Sequence, residues 1–547
     1  MKKNLPFLLS LVILIITSCS NKKTLKITID NLKITPKRTP FNDNELKKWF
    51  AKDIITDTIP GISLNKAKAL INNKTKNITV AVIDTEIDIL HKDLAGKFWR
   101  NEDEKPNNNV DDDFNGYTDD YQGWNFIGNL KGDNIIYSNY ESTRILRKYE
   151  AKFDGNDSTY HRNTYETAYK VYKNAKNEYN KKLKKAKSDL DYANFLIDNY
   201  PIAKKAIKNI FPDEEYSTKE LDSLYNIYKD TDKKLAKNLY FISDFIKYKL
   251  SEQWMSNYKQ NAINKITKIL NKEFNDRKLI DKNPHDIFYK GYGNPYINKN
   301  INQFYHGTLI AGLITSINDK IKIMPLAISS NGDEHDKDIA LAIKYAVDNG
   351  AKIINLSFSK QFSLEKKWVF NALKYAQKNN VLIISSAGNL KLNLNSYNNS
   401  TFPNDKDNNG EEVSNNFLLV GSISNKLNSE LLSYFSNYGN IDVDIFAPGE
   451  NIYSTLPNNN YKFESGTSLA CAITSGVASL ILSSYPDLTA TQVKLILMES
   501  GIKYSLKVNT PTPKKQTQKT PLYMLSKSGK VLNAYNALIM ADSISKK

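Results

Sequence analysis

Ile78-Thr79-Val80-Ala81-Val82-Ile83-Asp84-Thr85 is a run of apolar, mostly β-branched residues that stops at a carboxylate. The apolar/polar alternation of a strand with one wet face is missing, so a strand here is covered on both sides. Further apolar runs follow at Lys322 to Leu326, Ala351 to Leu356, Val381 to Ser385, Phe417 to Val420 and Val443 to Phe446. Helical stretches such as Asp338 to Asn349 and Glu365 to Asn379 lie between several of them. Strands alternating with helices predict an α/β domain with a mostly parallel sheet flanked by helices. A carboxylate at the carboxyl end of such a strand sits where open α/β sheets place their sites.

The 547 residues exceed what one hydrophobic core usually serves, so one large domain with an added piece is expected. The α/β rhythm breaks between about 133 and 290, where Tyr165, Tyr172, Tyr179, Ala186 and Ala193 recur every seven residues beside Ala168, Ala175, Leu183, Leu190 and Ile197. That spacing writes one apolar seam on a long helix. Pro201 and Pro212 punctuate it, and Ser217 with Glu220 forms a capping-box pattern opening a second helical region to about Phe274. The expected object is a large helical insertion, a hairpin or small bundle. Asn509 to Pro521 reads as a Pro, Thr and Lys linker, and Gly529 to Ala541 as a closing helix.

The N-terminus reads as a secretory signal: Lys2 and Lys3, an apolar run from Leu5 to Ile16, then small residues Thr17 and Ser18 before Cys19. The run is too short for a comfortable membrane span. The only other cysteine is Cys471, which leaves no exported disulfide to build. The polar stretch from Ser20 to about Lys48 suits a tether. The resulting division is 1–18 signal peptide, 19–48 tether, 49–132 first part of the main domain, 133–290 insertion and 291–547 second part. The formal charge of +17, from 76 Lys and Arg against 59 Asp and Glu, is spread along the chain without a basic block. No nucleic-acid partner is expected from such a pattern.

Acyl transfer by a serine needs a hydroxyl, a base, a carboxylate to orient the base and donors for the oxyanion. Asp84 ends the first strand. His306 opens the buried helical pattern His306-Gly307-Thr308-Leu309-Ile310-Ala311-Gly312. Ser468, in Ser465-Gly466-Thr467-Ser468-Leu469-Ala470, stands at a helix start where the dipole favours developing negative charge. A structural histidine and a helix cap are the plain alternatives for the last two taken singly.

Together, in the order Asp, His, Ser, these three motifs resemble the subtilisin-like serine protease family, the subtilases. The resemblance extends to His91-Lys92-Asp93-Leu94, Ile353-Ile354-Asn355-Leu356-Ser357, Ser385-Ser386-Ala387-Gly388-Asn389 and Phe446-Ala447-Pro448-Gly449, most of residues 60 to 542 apart from the insertion. It implies a subtilisin-like fold, a triad of Asp84, His306 and Ser468, Asn389 as side-chain oxyanion donor, substrate contacts at Ser357, Ser359 and Gly388, and protein or peptide substrates. Ile16-Thr17-Ser18-Cys19 resembles a lipobox, which implies lipidation of Cys19 and, with the likeness to subtilases of the Bacteroidetes type, a cell-envelope protein held at the outer membrane by its N-terminal lipid.

Four positions depart from the family. Glu86 stands where Gly follows the Asp-Thr pair, Leu309 replaces a second His, Ser359 a Gly and Ala472 a Pro. Glu86 would place a like charge beside Asp84, and it supports the alternative of a catalytically impaired binding or scaffold lipoprotein. Cys471 reads as packing on a buried helix. Asp111, Asp113, Asn115, Gly116, Tyr117 and Asp119 match the first part of a calcium loop, with Gln122 where a bidentate Glu would close it, so a structural Ca²⁺ is expected. Because the insertion falls between Asp84 and His306, it should project near the substrate cleft and restrict access.

Overall fold

The structure, a computed structural model, describes residues 37 and 40–546 apart from 72–74, 156–157, 397–398, 408 and 514–517. The signal, Cys19 and most of the tether lie outside the described residues.

Seven parallel strands form the central sheet: β1 (Ile78–Asp84), β2 (Trp124–Asn125), β3 (Ile321–Ala327), β4 (Ile353–Leu356), β5 (Leu382–Ser386), β6 (Phe417–Ile423) and β7 (Ile445–Pro448), in the order β2-β3-β1-β4-β5-β6-β7. The register sets Asp84 opposite Ala327 and Ile83 opposite Leu356. Side chains of β1 alternate between two cores, as strand geometry requires. Val80 and Val82 join Leu309, Leu313, Leu469 and Ile473 beneath the helices His306–Ile317 and Thr467–Ser484. Ala81 and Ile83 join Met324, Ile343 and Leu373 beneath Asp336–Asp348 and Lys366–Lys378. Each large apolar side chain taken from water this way contributes about 1.5–3 kcal/mol, which is why the apolar runs become the sheet.

The insertion is helical, with one helix of 43 residues, Glu166–Lys208, packed against Glu141–Asp154 and Glu252–Asn264. Tyr172, Ala175, Tyr179, Ala186 and Ala193 of the seam are buried, whereas Tyr165 precedes the helix and is exposed. Pro201 does not punctuate this helix but lies inside it. The second helical region is three helices, Thr218–Tyr228, Lys233–Lys247 and Glu252–Asn264. Each restarts at its own side-chain cap, Ser217, Asp232 and Ser251, whose oxygens accept otherwise unpaired amide protons. The expected C-terminal linker is instead an antiparallel ladder, Lys507–Thr510 with Gln518–Pro521, and the closing helix runs from Ala534 to Ser545.

Candidate active site

The carboxyl end of β1 delivers Asp84, buried to 1 % exposure, to the first turn of the helix His306–Ile317. Thr85 fastens the two, since its hydroxyl accepts from the Gly307 amide at 2.8 Å while its own amide donates to Asp84 Oδ1 at 2.7 Å. A side chain at Gly307 would sit 2.5 Å from the Thr85 carbonyl, so this approach needs glycine. Nδ1 of His306 lies 2.8 and 3.0 Å from the two Asp84 carboxylate oxygens. That contact sets Nδ1 as the protonated nitrogen and leaves Nε2 as the acceptor. Burial by itself lowers the His306 pKa, but the Asp84 carboxylate, with Glu334 and Glu464 further off, outweighs it and raises the group above its ordinary value.

Ser468 is the second residue of the helix Thr467–Ser484 and is half-buried, while Asn389 follows β5 and is exposed. Asn389 Oδ1 accepts from the Thr467 amide at 2.9 Å and from its hydroxyl at 3.0 Å, which turns Nδ2 the other way. The point where a Cβ of Gly466 would stand has Asn389 Nδ2 at 3.5 Å, the Ser468 amide at 3.8 Å and the Ser468 hydroxyl at 3.9 Å as its neighbours. The Ser468 hydroxyl and amide and the Asn389 Nδ2 thus lie close to one point, the groups from which a nucleophile and oxyanion donors could be drawn. Among the described residues no hydrogen bond joins Ser468 Oγ to His306, whose ring contacts are those to Asp84; such bonds commonly tighten only when substrate is bound.

The residues named for substrate contact take different places. Ser357 is buried, and its hydroxyl donates to the Ser468 carbonyl at 2.9 Å, so its side chain braces the serine-bearing helix. Gly388 has φ +98°, and a Cβ there would stand 2.7 Å from Asn437 Nδ2 and 2.9 Å from Ser359 Oγ. Ser359 is exposed and shares a cavity wall with Asn389. Cys471 is buried, with Sγ 3.2 Å from the Ile384 carbonyl, and burial pushes its thiol up to about 12, which removes it as a nucleophile.

Glu86 does not crowd Asp84. It is fully buried and accepts from Asn134 Nδ2 at 2.8 Å, Asn300 Nδ2 at 2.8 Å and the Asn300 backbone amide. The carboxyl group that stands in place of a glycine is therefore held by Asn134, at the entry to the insertion, and by Asn300, beyond its end, so its hydrogen bonds are made to these two segments and not to Asp84.

In the acidic loop, carboxylate oxygens of Glu104, Asp111 and Asp113 lie within 4.8 Å of one another. Glu104 is 4 % exposed; Oε1 accepts from the Asp112 amide at 2.8 Å, and Oε2 has no partner. Burial first, then Asp120 and Asp113, raise its pKa against two backbone hydrogen bonds. Hard oxygen donors gathered round an unpartnered buried carboxylate oxygen fit a calcium ion. Asn115 joins the loop by donating Nδ2 to Asp113 at 3.0 Å. Asp119 lies outside this cluster and accepts from the Asn108 and Asn109 amides, while Tyr117, expected to offer its backbone carbonyl, packs its ring against Trp124, Phe126 and Tyr345. Glu104 escaped the sequence reading because it lies outside the loop's repeat and its burial has no local signature.

The chain is similar to the cell wall-associated protease of Bacillus subtilis (strain 168), 37% identical over 207 residues covering 36% of this chain and 21% of that protein. It is also similar to subtilisin-like protease 1 of Plasmodium vivax, 30% identical over 256 residues covering 42% and 40%. The chain thus spans less than half the length of these curated relatives. A solved structure of the subtilase cytotoxin SubAB matches with 27% identity and TM-score 0.39 over 46% of this chain and 81% of that one. The model of the subtilase family, Peptidase S8, matches residues 75–524, a span that contains Asp84, His306, Asn389 and Ser468, and the chain therefore belongs to the subtilase family.

Proposed function

We propose that the protein is a lipid-anchored serine endopeptidase of the cell envelope that hydrolyses peptide bonds through an acyl-enzyme. The observation that carries this reading is the Asp84–His306 contact together with the hydroxyl and two donors gathered beside Gly466. In this mechanism His306 Nε2 takes the Ser468 proton as the hydroxyl attacks the scissile carbonyl. The carbonyl oxygen becomes an oxyanion held by Asn389 Nδ2 and the Ser468 amide. His306 returns the proton to the leaving amine as the C–N bond breaks, and Asp84 keeps the imidazole in the productive tautomer. Water, activated by the same base, then cleaves the ester and regenerates Ser468. The impaired-scaffold alternative loses its main support, because Glu86 is bound away from this cluster.

A fluorophosphonate probe, which labels an activated serine and ignores an inert one, tests the reading. Labelling should be stoichiometric and absent in Ser468→Ala. Its rate should fall as pH drops through the His306 pKa, because the protonated ring is no base, and the raised value places that fall above the pH expected of a free histidine. A wild-type protein that stays unlabelled would overturn the proposal. The lipobox-like Ile16-Thr17-Ser18-Cys19 supports anchoring at Cys19; labelled protein should then sediment with membranes and become soluble in Cys19→Ser.

A structural Ca²⁺ held by Glu104, Asp111 and Asp113 is the second part of the proposal, favoured by the unpartnered Glu104 oxygen. At a hundredfold excess over Kd such an ion stabilises by about 2.7 kcal/mol. Calcium should raise the melting temperature of the wild-type protein and leave Glu104→Ala unmoved; identical responses in both would remove the site.

A further inference from the structure

A cavity of 220 Å³ lies beside the oxyanion position, lined by Ser359, Lys360 and Asn389 of the catalytic body and by Asp333, Glu178 and Lys182 among others. Glu178 and Lys182 belong to the long helix Glu166–Lys208 of the insertion. The cavity shares Asn389 with the oxyanion position. The space therefore adjoins any carbonyl held by the Asn389 side chain.

The insertion helix is fixed there by three contacts. The Tyr179 hydroxyl donates to the Leu270 carbonyl at 2.9 Å, Phe362 and Leu364 from the segment after β4 pack in the same apolar cluster as Tyr179 and Leu183, and Lys182 lies 3.9 Å over the Tyr140 ring. Of these, the packing of Phe362 and Leu364 ties the helix to the catalytic body, while the Tyr179 and Lys182 contacts lie within the insertion.

The charges are unevenly satisfied. The Lys360 ammonium is fully buried and turned to Asp336 at 2.8 Å and to the Glu334 carbonyl at 2.7 Å, so it faces away from an occupant. Asp333 Oδ2 accepts from the Glu141 amide at 2.8 Å, which leaves Oδ1 as an open acceptor. Glu178, with a side chain 19% exposed, has only Lys181 at 3.8 Å and Lys182 at 3.9 Å near its oxygens, both beyond hydrogen-bonding distance. With the Lys360 charge met by Asp336 and the Lys182 ammonium drawn over the Tyr140 ring, Glu178 and Asp333 bring two carboxylates to the lining of this space.

We infer that the insertion completes the specificity pocket of the peptidase, with Glu178 and Asp333 selecting a lysine or arginine side chain on the residue that donates the scissile carbonyl. This inference rests on the proposed peptidase reading.

The test is a set of peptides differing only at that residue (Lys, Arg, Leu, Phe, Glu), cleaved by the wild-type protein, by Glu178→Gln and Glu178→Lys, and by Lys184→Gln as an exposed control on the same helix. Wild type should prefer Lys and Arg. A charge-assisted contact is worth enough that the kcat/KM ratio of Lys to Leu should fall about tenfold in Glu178→Gln, further in Glu178→Lys, and hold in Lys184→Gln. Unaltered ratios in both Glu178 variants, with wild-type probe labelling, would overturn the pocket role alone. A wild-type protein that neither labels nor cleaves would instead overturn the peptidase reading beneath it.

Discussion

If Ser468 is the nucleophile proposed above, Ser468→Ala should lower turnover on a cleavable peptide by roughly 10⁶-fold, the size of loss seen when such a triad is stripped of its nucleophile or base. The size follows from interdependence. Without the hydroxyl, His306 has no proton to remove and Asp84 no imidazolium to stabilise, so three side chains lose their effect through one substitution. What persists is the residual rate that Asn389 and the Ser468 amide supply to direct attack by water, roughly 10³–10⁴-fold over the uncatalysed reaction. The substitution leaves the fold in place, because the side chain is half-buried, while the backbone carbonyl of the same residue still accepts from Ser357. A purified Ser468→Ala protein with an unchanged melting curve and undiminished kcat would mean that another group performs the attack.

Glu141→Ala destabilises the protein by about 3–5 kcal/mol, the cost of removing one partner from a buried ion pair. Glu141 is 2 % exposed and meets the Arg144 guanidinium, with Arg144 Nε at 2.6 Å, while Lys360 Nζ lies 3.6 Å away. Burial alone would drive the proton from Lys360, but Asp336 and Glu141 outweigh it and hold the ammonium. Alanine leaves the buried Lys360 with Asp336 as its ion-pair partner and takes from the buried Arg144 the carboxylate within ion-pair distance, leaving it Asp276 and Asp333 further off. Arg144 also donates to the carbonyls of Asn139, Asp333 and Glu334, so the loop forming one side of the cavity is tied to the first helix of the insertion. Urea unfolding followed by fluorescence reads the loss; a midpoint equal to that of the parent protein would show that this network carries no stability. The same network revises the expectation of a projecting accessory. Cutting out the insertion would remove Glu141 and Arg144 and leave Lys360 and Asp336 at a new surface, so excision removes part of the catalytic body's own interior.

The sheet was readable because its strands are apolar runs buried on both faces, as β6 is from end to end and β1 is apart from the half-buried Thr79. Asp84, His306, Asn389 and Ser468 were nameable because each sits in a short motif at an element's end, where the chemistry of neighbouring residues is local. Contacts across long separations left no such trace. Lys360 gives no sign in the sequence of being paired with Glu141, 219 residues away, and Glu178 reads as one more charge on a solvated face. The helix through Pro201 and the ladder joining Lys507–Thr510 to Gln518–Pro521 also ran against local propensity, with tertiary packing deciding both.

Glu86 binds Asn134 and Asn300, one on either side of the helical arm, from a position two residues beyond Asp84. The feet of the arm cannot spread without freeing that carboxylate and slackening the peptide that carries the acid. Amide exchange with solvent in the segment leading to His306 should therefore rise together with exchange at the root of the arm, as expected of a single cooperative unit.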